Sequence, residues 1–241
     1  MKISIITVTY KDLIGLKKTI ESIKRQTFSD YECLVIDGGS GAEVVEFLNN
    51  IGDPRIKSTS EKDKGIFDAM NKGLDRAQGE WVLFMNGGDS LHSDETLEAA
   101  SLALTDTCDM VFGDCLLEFD DNHTMLKRAR HYNYVYYGMF ASHQSMFFRR
   151  DFIKNLRFNS ALRVAGDYAF VAQAIKNGAK CIKISECICR FDMSGISNQL
   201  QGQGRSENWA IQRDILQIPW LARFFIRFLY LLSASRKKIL N

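Results

Sequence analysis

Only two prolines interrupt these 241 residues, and no Gly/Ser-rich stretch separates one half from the other, so nothing marks a domain boundary. Charge of one sign is missing as well. Lys and Arg number 31 against 29 Asp and Glu, a formal net charge of +2, which supplies no long-range field for nucleic acid as a partner. The six cysteines lack paired C-x-x-C spacing, which excludes a zinc site of that kind and leaves thiols that behave as small apolar side chains. Met1 and Lys2 run straight into residues 3–10, too short and too strand-like for the apolar region of a signal peptide, so a reducing cytoplasm is the expected compartment. With 46% hydrophobic and 25% charged residues the chain can bury a full core, and a single α/β domain is expected.

What is present is alternation. Apolar runs of strand length at 3–10, 31–37 and 80–85 and a short strand near 56–60 are separated by segments of helical period at 13–26, 43–50 and 67–78. That pattern predicts a mostly parallel central sheet flanked by helices. Beyond residues 108–119 the alternation loosens into a tyrosine-rich stretch, a short strand at 145–148, a helix from Asp167 and a strand near 181–191. Residues 1–105 therefore read as the nucleotide-binding half and 106–205 as α+β material that completes a site. Residues 206–241 read as a separate helical segment.

In open α/β sheets ligands bind outside the carboxyl ends of the strands, so polar residues that end strands come first. Asp37 ends one strand and is followed by Gly38, Gly39 and Ser40; Asp89 follows another through Asn86, Gly87 and Gly88. Both are expected to face the ligand side, Asp37 toward solvent. The first strand ends in Thr7-Val8-Thr9-Tyr10-Lys11-Asp12, with no G-x-G-x-x-G, which removes the main support for hydride transfer. Nor does it carry the basic glycine-rich loop by which a nucleotidyltransferase holds a triphosphate. Phosphates must be neutralised otherwise, and Mg²⁺ or Mn²⁺ held by Asp89 is the simplest means, because such hard cations bind through one or two carboxylates plus substrate phosphates.

The run from Ser60 through Asp63, Lys64 and Asn71 to Gly73, together with Thr7-Val8-Thr9-Tyr10, Asp37-Gly38-Gly39-Ser40 and Asn86-Gly87-Gly88-Asp89, resembles the family 2 inverting glycosyltransferases of GT-A fold. Further matches are Ser142-His143-Gln144, Val164-Ala165-Gly166-Asp167-Tyr168 and the motif that starts at Met193 and runs to Ser197. The subgroup resembled is that of capsule, exopolysaccharide and colanic-acid clusters. The resemblance implies that Thr7, Val8 and Tyr10 line a base pocket and that Asp37 holds the base. It implies that Asp63, Lys64 and Asn71 lie near the nucleotide, that Asp89 is the metal ligand, and that Asp167 is the catalytic base. Two departures stand out: the family's D-x-D is reduced to Asn86-Gly87-Gly88-Asp89, and Gly166 stands where many relatives carry the first of an acidic pair.

Inverting transfer needs a carboxylate to take the acceptor's proton, a task worth about 10²–10⁴ in rate. Asp167 at a helix start suits it, or serves instead as an N-cap. His143 and Gln144 suit the acceptor or the diphosphate, and His143 suits a structural role equally. Tyr132, Tyr134, Tyr136 and Tyr137 form either a sugar-stacking wall or the alternating face of a half-buried strand.

The apolar stretch 215–232 holds Arg223 and Arg227 one helical turn apart and leads to Arg236-Lys237-Lys238, which predicts an amphipathic helix on an anionic membrane surface. Docking on its own domain, or on a second copy in a homodimer, is the alternative. The expected protein is a peripheral enzyme on the inner face of the cytoplasmic membrane, taking a sugar from a nucleotide-sugar, a UDP-sugar by preference, to a lipid-linked or oligosaccharide acceptor. A sugar-nucleotide nucleotidyltransferase and a non-catalytic sugar-nucleotide-binding module are the competing expectations.

Overall fold

The computed structural model describes residues 1–119, 123–193 and 201–239, so residues 194–197 of the motif that begins at Met193 lie outside the described residues. The first half runs β1 (Ile3–Thr9), α1 (Leu13–Lys24), β2 (Tyr31–Asp37), α2 (Ala42–Asn49), β3 (Ile56–Ser60), α3 (Ile66–Arg76) and β4 (Trp81–Phe84). Every residue of β1, β2 and β4 is buried, as expected of strands covered by helices on both faces. The second half runs β5 (Ser90–Leu91), α4 (Thr96–Ser101), β6 (Met110–Glu118), β7 (Thr124–Lys127), β8 (Met146–Arg149), α5 (Arg150–Ile153), α6 (Gly166–Lys176), β9 (Cys181–Asp192), α7 (Gln201–Asp214) and α8 (Trp220–Ile239).

The strands form one sheet in the order β3-β2-β1-β4-β8-β6-β9-β5, with β7 added to β6. β1 to β4 are mutually parallel, so their carboxyl ends share one edge. β8 is antiparallel to both β4 and β6, β9 runs parallel to β6, and antiparallel pairs join β5 to β9 and β7 to β6. The parallel sheet expected from the alternation is thus confined to the first half, and the second half mixes directions.

Two apolar clusters cover the sheet. One lies under α1, α2 and α4; the other, under α3 and α6, is rich in phenylalanine. There Phe158 stacks on Phe170 at 4.3 Å and on Phe67 at 5.8 Å, while Phe84 meets Phe158 edge-on at 5.0 Å. Such geometries add to the area these rings bury. Cys33, Cys108, Cys115 and Cys189 are buried, and all six thiols are free.

Three local expectations change. The tyrosine run is not a strand: residues Tyr132–Tyr136 form a 3₁₀ turn, started by the His131 ring, which accepts from the Asn133 amide. The Tyr168 hydroxyl donates to the Val135 carbonyl at 2.6 Å and fixes that turn to α6. α7 begins at Gln201 and so runs across residue 206, where the helical segment was expected to begin. In α8 one arginine is engaged by the protein: Arg227, exposed to solvent, lies 4.2 Å over the Trp209 indole of α7, and Ile226 packs on the core. Trp220, Leu221, Phe224, Phe225 and Phe228 lie exposed.

Asn71 on α3 spends its amide on packing. Its Nδ2 donates to the Phe158 carbonyl and its Oδ1 accepts from the Phe158 amide, both at 2.9 Å, which pins the stacked ring. Asn71→Ala leaves both main-chain groups without that partner and is expected to cost about 1–3 kcal/mol. Chemical denaturation reads it as a lower midpoint at unchanged slope; an unaltered midpoint would remove Asn71 from the packing.

Candidate active site

The carboxyl ends of β1 and β2 are tied together by one buried carboxylate. Asp37 is 0% exposed, which corrects the expectation that it faces solvent. It accepts from the Ser40 amide at 3.0 Å, from the Ser40 hydroxyl, and from the Ser60 hydroxyl of β3 at 2.6 Å. The Ser40 hydroxyl in turn accepts from the Lys11 amide at 2.7 Å. Asp37 therefore shapes the loop around it. The open groups at this edge are Tyr10, 59% exposed, and Asp63. A Cβ on Gly38 would stand 2.5 Å from Asp63 Oδ2 and 3.1 Å from the Tyr10 ring, so only glycine lets these two converge. Lys64 is exposed beside them at the start of α3, its amide donating to Asp68.

Beyond β4 the Asn86–Asp89 loop is stapled to α1. The Thr19 hydroxyl donates to the Asp89 carbonyl at 2.6 Å and accepts from the Gly88 amide at 3.1 Å. This holds the Asp89 side chain inward, 4% exposed. Its Oδ2 accepts from Gln144 Nε2 at 2.8 Å and its Oδ1 from the Asp192 amide at 3.0 Å. Burial nevertheless dominates and pushes its carboxyl up to about 6, against those two hydrogen bonds and the neighbouring His143.

His143 connects this loop to Asp167. Its Nδ1 lies 3.4 Å from Asp167 Oδ2, and its Nε2 lies 3.3 Å from Asn86 Nδ2. Because the Asn86 amide nitrogen can only donate, Nε2 accepts and the ring proton sits on Nδ1, facing the carboxylate. Asp167 is in the first turn of α6 but is not its N-cap. Ala165 holds that position, and Asp167 Oδ1 accepts from the Tyr168 amide at 2.7 Å. Gly166 beside it abuts Phe67, where a Cβ would come within 2.6 Å of ring carbons, so no acidic neighbour fits there. Among the described residues Asn86 Oδ1 and Gln144 Oε1 are buried and find no hydrogen-bond partner.

The structure thus brings together Asn86, Asp89, His143, Gln144 and Asp167, and separately Tyr10, Asp37 and Asp63. It keeps Thr7 and Val8 inside the sheet, Thr7 3.8 Å from the Cys33 thiol and Val8 in the core, so neither lines an open pocket. Asp192 was missed, although it ends β9 and obeys the strand-end rule that found Asp37 and Asp89. Two surface hollows of about 360 and 480 Å³, lined respectively by residues of β2, β3 and α3 and by residues of α1 and α2, contain none of this constellation. Its assignment rests on the chemistry of the cluster.

A family model described as Glycosyl transferase family 2 matches residues 4–174. The PGL/p-HBAD biosynthesis glycosyltransferase of Mycobacterium tuberculosis is 28% identical, across 99% of this chain and 92% of that protein. The GalNAc(5)-diNAcBac-PP-undecaprenol beta-1,3-glucosyltransferase of Campylobacter jejuni is 34% identical across 50% of this chain and 40% of its own. Among solved structures, S. aureus TarS 1-349 in complex with UDP-GlcNAc superposes with a TM-score of 0.71 at 20% identity, over 89% of this chain and 65% of that one. This chain therefore spans just under two thirds of the solved structure, and that likeness establishes the GT-A fold. The family match covers well over half of the residues, and the chain belongs to glycosyl transferase family 2.

Proposed function

We propose that this glycosyltransferase moves a sugar, with inversion and with the help of Mg²⁺ or Mn²⁺, from a UDP-sugar to a hydroxyl of a lipid-linked oligosaccharide in surface polysaccharide synthesis. The observation that carries the reading is the linkage of Asp89 to Asp167 through Gln144, Asn86 and His143 at one sheet edge. The acceptor hydroxyl gives its proton to Asp167 as its oxygen bonds to the anomeric carbon. The bond from that carbon to the diphosphate breaks on the opposite face. His143 orients the Asp167 carboxylate through its Nδ1 proton. Tyr10 and Asp63 meet the nucleoside, with Asp37 holding their loop in place.

Among the described residues no three His, Cys, Asp or Glu side chains converge as a ready cation cluster. The donor set still suits a hard cation that arrives with the donor: Asp89 offers a carboxylate, and Asn86 Oδ1 and Gln144 Oε1 are unpartnered oxygens. Such an ion supplies Lewis-acid stabilisation of the departing diphosphate. Support for the substrates comes from the relatives: a UDP-GlcNAc complex for TarS, an undecaprenol-linked acceptor in the C. jejuni enzyme's name, and GDP-Man with Mn²⁺ in the mannosyltransferase of Pyrobaculum calidifontis.

Among the described residues no helix is long and apolar enough to cross a membrane. The outward aromatic face of α8, with five cationic and no acidic side chains between residues 215 and 241, fits an anionic bilayer surface on the cytoplasmic side. A chain ending at Ile218 should stay folded and release from phosphatidylglycerol vesicles that retain the full chain; equal retention would defeat this membrane role.

The two aspartates separate by measurement. Asp89→Asn should abolish the Mn²⁺-dependent gain in UDP affinity, because a neutral amide is a poor ligand for a hard cation. Asp167→Asn should bind UDP and Mn²⁺ as the parent does and lose transfer by about 10²-fold or more. If Asp167→Asn turns over normally, the base is elsewhere.

The raised carboxyl of Asp89 sets a pH test. A carboxyl whose folded pKa lies above its unfolded value favours folding when protonated, and that contribution is lost as pH rises through about 6. Asp89→Asn removes the buried charge, and the Gln144 amide can turn its free oxygen toward the new NH₂. Without cation, Asp89→Asn should melt above the parent at pH 8, and the gap should close toward about pH 4, the unfolded carboxyl's range. A gap that is constant across pH would contradict the assignment.

A further inference from the structure

The family match ends at residue 174, yet a side chain beyond it grips the approach to α6. Glu207 of α7 accepts from three consecutive main-chain amides: Arg163 at 3.1 Å on Oε1, and Val164 at 3.0 Å and Ala165 at 2.8 Å on Oε2. Ala165 is the N-cap residue of α6, and Asp167 stands two positions further on. Neither Ala165 nor Val164 has a side chain able to cap the helix, so the loop takes its hydrogen-bond acceptors from another helix. Burial opposes the charge on Glu207, but the three amides outweigh it and hold the carboxyl below its ordinary range, so it is ionised at neutral pH.

α7 sits close enough to make this grip specific. A Cβ on Gly204, one turn before Glu207, would stand 3.1 Å from Val164 Cγ1. Gln203 donates to Glu207 Oε1 at 3.1 Å and sets its rotamer. One turn beyond, Gln212, 1% exposed, donates to the Tyr136 and Tyr137 carbonyls at 3.4 and 3.2 Å. α7 therefore braces the tyrosine turn and the α6 entry together.

We propose that Glu207 is a positioning residue for Asp167: its carboxylate fixes residues 163–165 and so sets where the base meets the acceptor hydroxyl. The proposal rests on the reading of Asp167 as the base. Gln cannot replace Glu207, because its amide keeps one acceptor oxygen and points a donor at amides that need an acceptor. An error of about 1 Å in a reacting group can cost about 10²-fold in rate.

The test uses the full-length chain, with UDP plus Mn²⁺ for binding by calorimetry and a panel of UDP-sugars for slow donor hydrolysis and transfer. The expected result for Glu207→Gln is UDP affinity within about twofold of the parent and kcat lower by about 10- to 100-fold, at a temperature where both proteins are folded. Glu207→Asp, which keeps the charge on a shorter arm, should recover part of the loss. A role confined to stability predicts a lower Tm with parent-like kcat below it, and that result overturns the proposal, as does an equal fall in UDP affinity and kcat. A parent that turns over with no loss in Asp167→Asn overturns the reading of the base instead, so the two failures are distinguishable.

Discussion

Taking a carboxylate out of water costs several kcal/mol unless hydrogen bonds replace the lost solvation, and the fold converges on one such group, Asp89. Its two oxygens are met by Gln144, just before β8, and by the Asp192 amide at the end of β9, while α1 holds its main chain through Thr19. Three separate stretches of chain are thereby fixed to a single residue. The remaining imbalance, visible in a carboxyl pushed up to about 6, is a preference for a neutralised Asp89. A proton or a bound cation relieves it, which is a reason to find such a group at a site for anionic ligands.

Strand direction explains how the partners arrive. An antiparallel strand starts where its parallel-running neighbour ends. β8 is antiparallel to β4 with Leu83 opposite Phe147, so His143 and Gln144, preceding β8, land beside the loop that follows β4. A parallel β8 would have put them at the opposite edge, away from Asn86 and Asp89. The mixed second half is therefore required by the site. β9 meets the same requirement from the other side: it runs parallel to β6 and ends at the functional edge with Asp192.

The first half of the fold was legible because its signals are local. β2 falls on the residues its apolar run indicated, since strands buried on both faces carry continuous hydrophobic sequence, and β3, the exposed edge strand, falls on the residues expected of it as well. The strand-end rule found Asp37 and Asp89 for the same reason. It misjudged the surroundings of Asp37, because the Ser60 hydroxyl reaches it from a strand 23 residues away. The tyrosine run alternates as a strand would, yet its carbonyls are taken by Tyr168 and Gln212 from helices far along the chain, and a 3₁₀ turn results. The N-cap alternative for Asp167 arose because the sequence shows a helix start without showing its cap, which is Ala165. The misses at Asp37 and at the tyrosines come from partners distant in sequence.

The C-terminal helices carry that lesson furthest. On α8 the arginines suggested a cationic face toward lipid headgroups, but Arg227 is occupied by the Trp209 indole, where a guanidinium over a ring gains about 0.5–1 kcal/mol or more when desolvated. On the same helix Trp220 and Phe224 are 68% and 67% exposed, an arrangement that costs free energy in water and is relieved by an apolar partner. The same helix pair reaches inward through Glu207 and Gln212 to the loop before α6 and to the tyrosine turn. Trp209, two residues after Glu207 on α7, is the ring on which Arg227 rests, so the helix that presents the aromatic face and the carboxylate that holds the α6 entry share one scaffold. α8 thus rests on the same helix whose Glu207 accepts from the main chain just before α6.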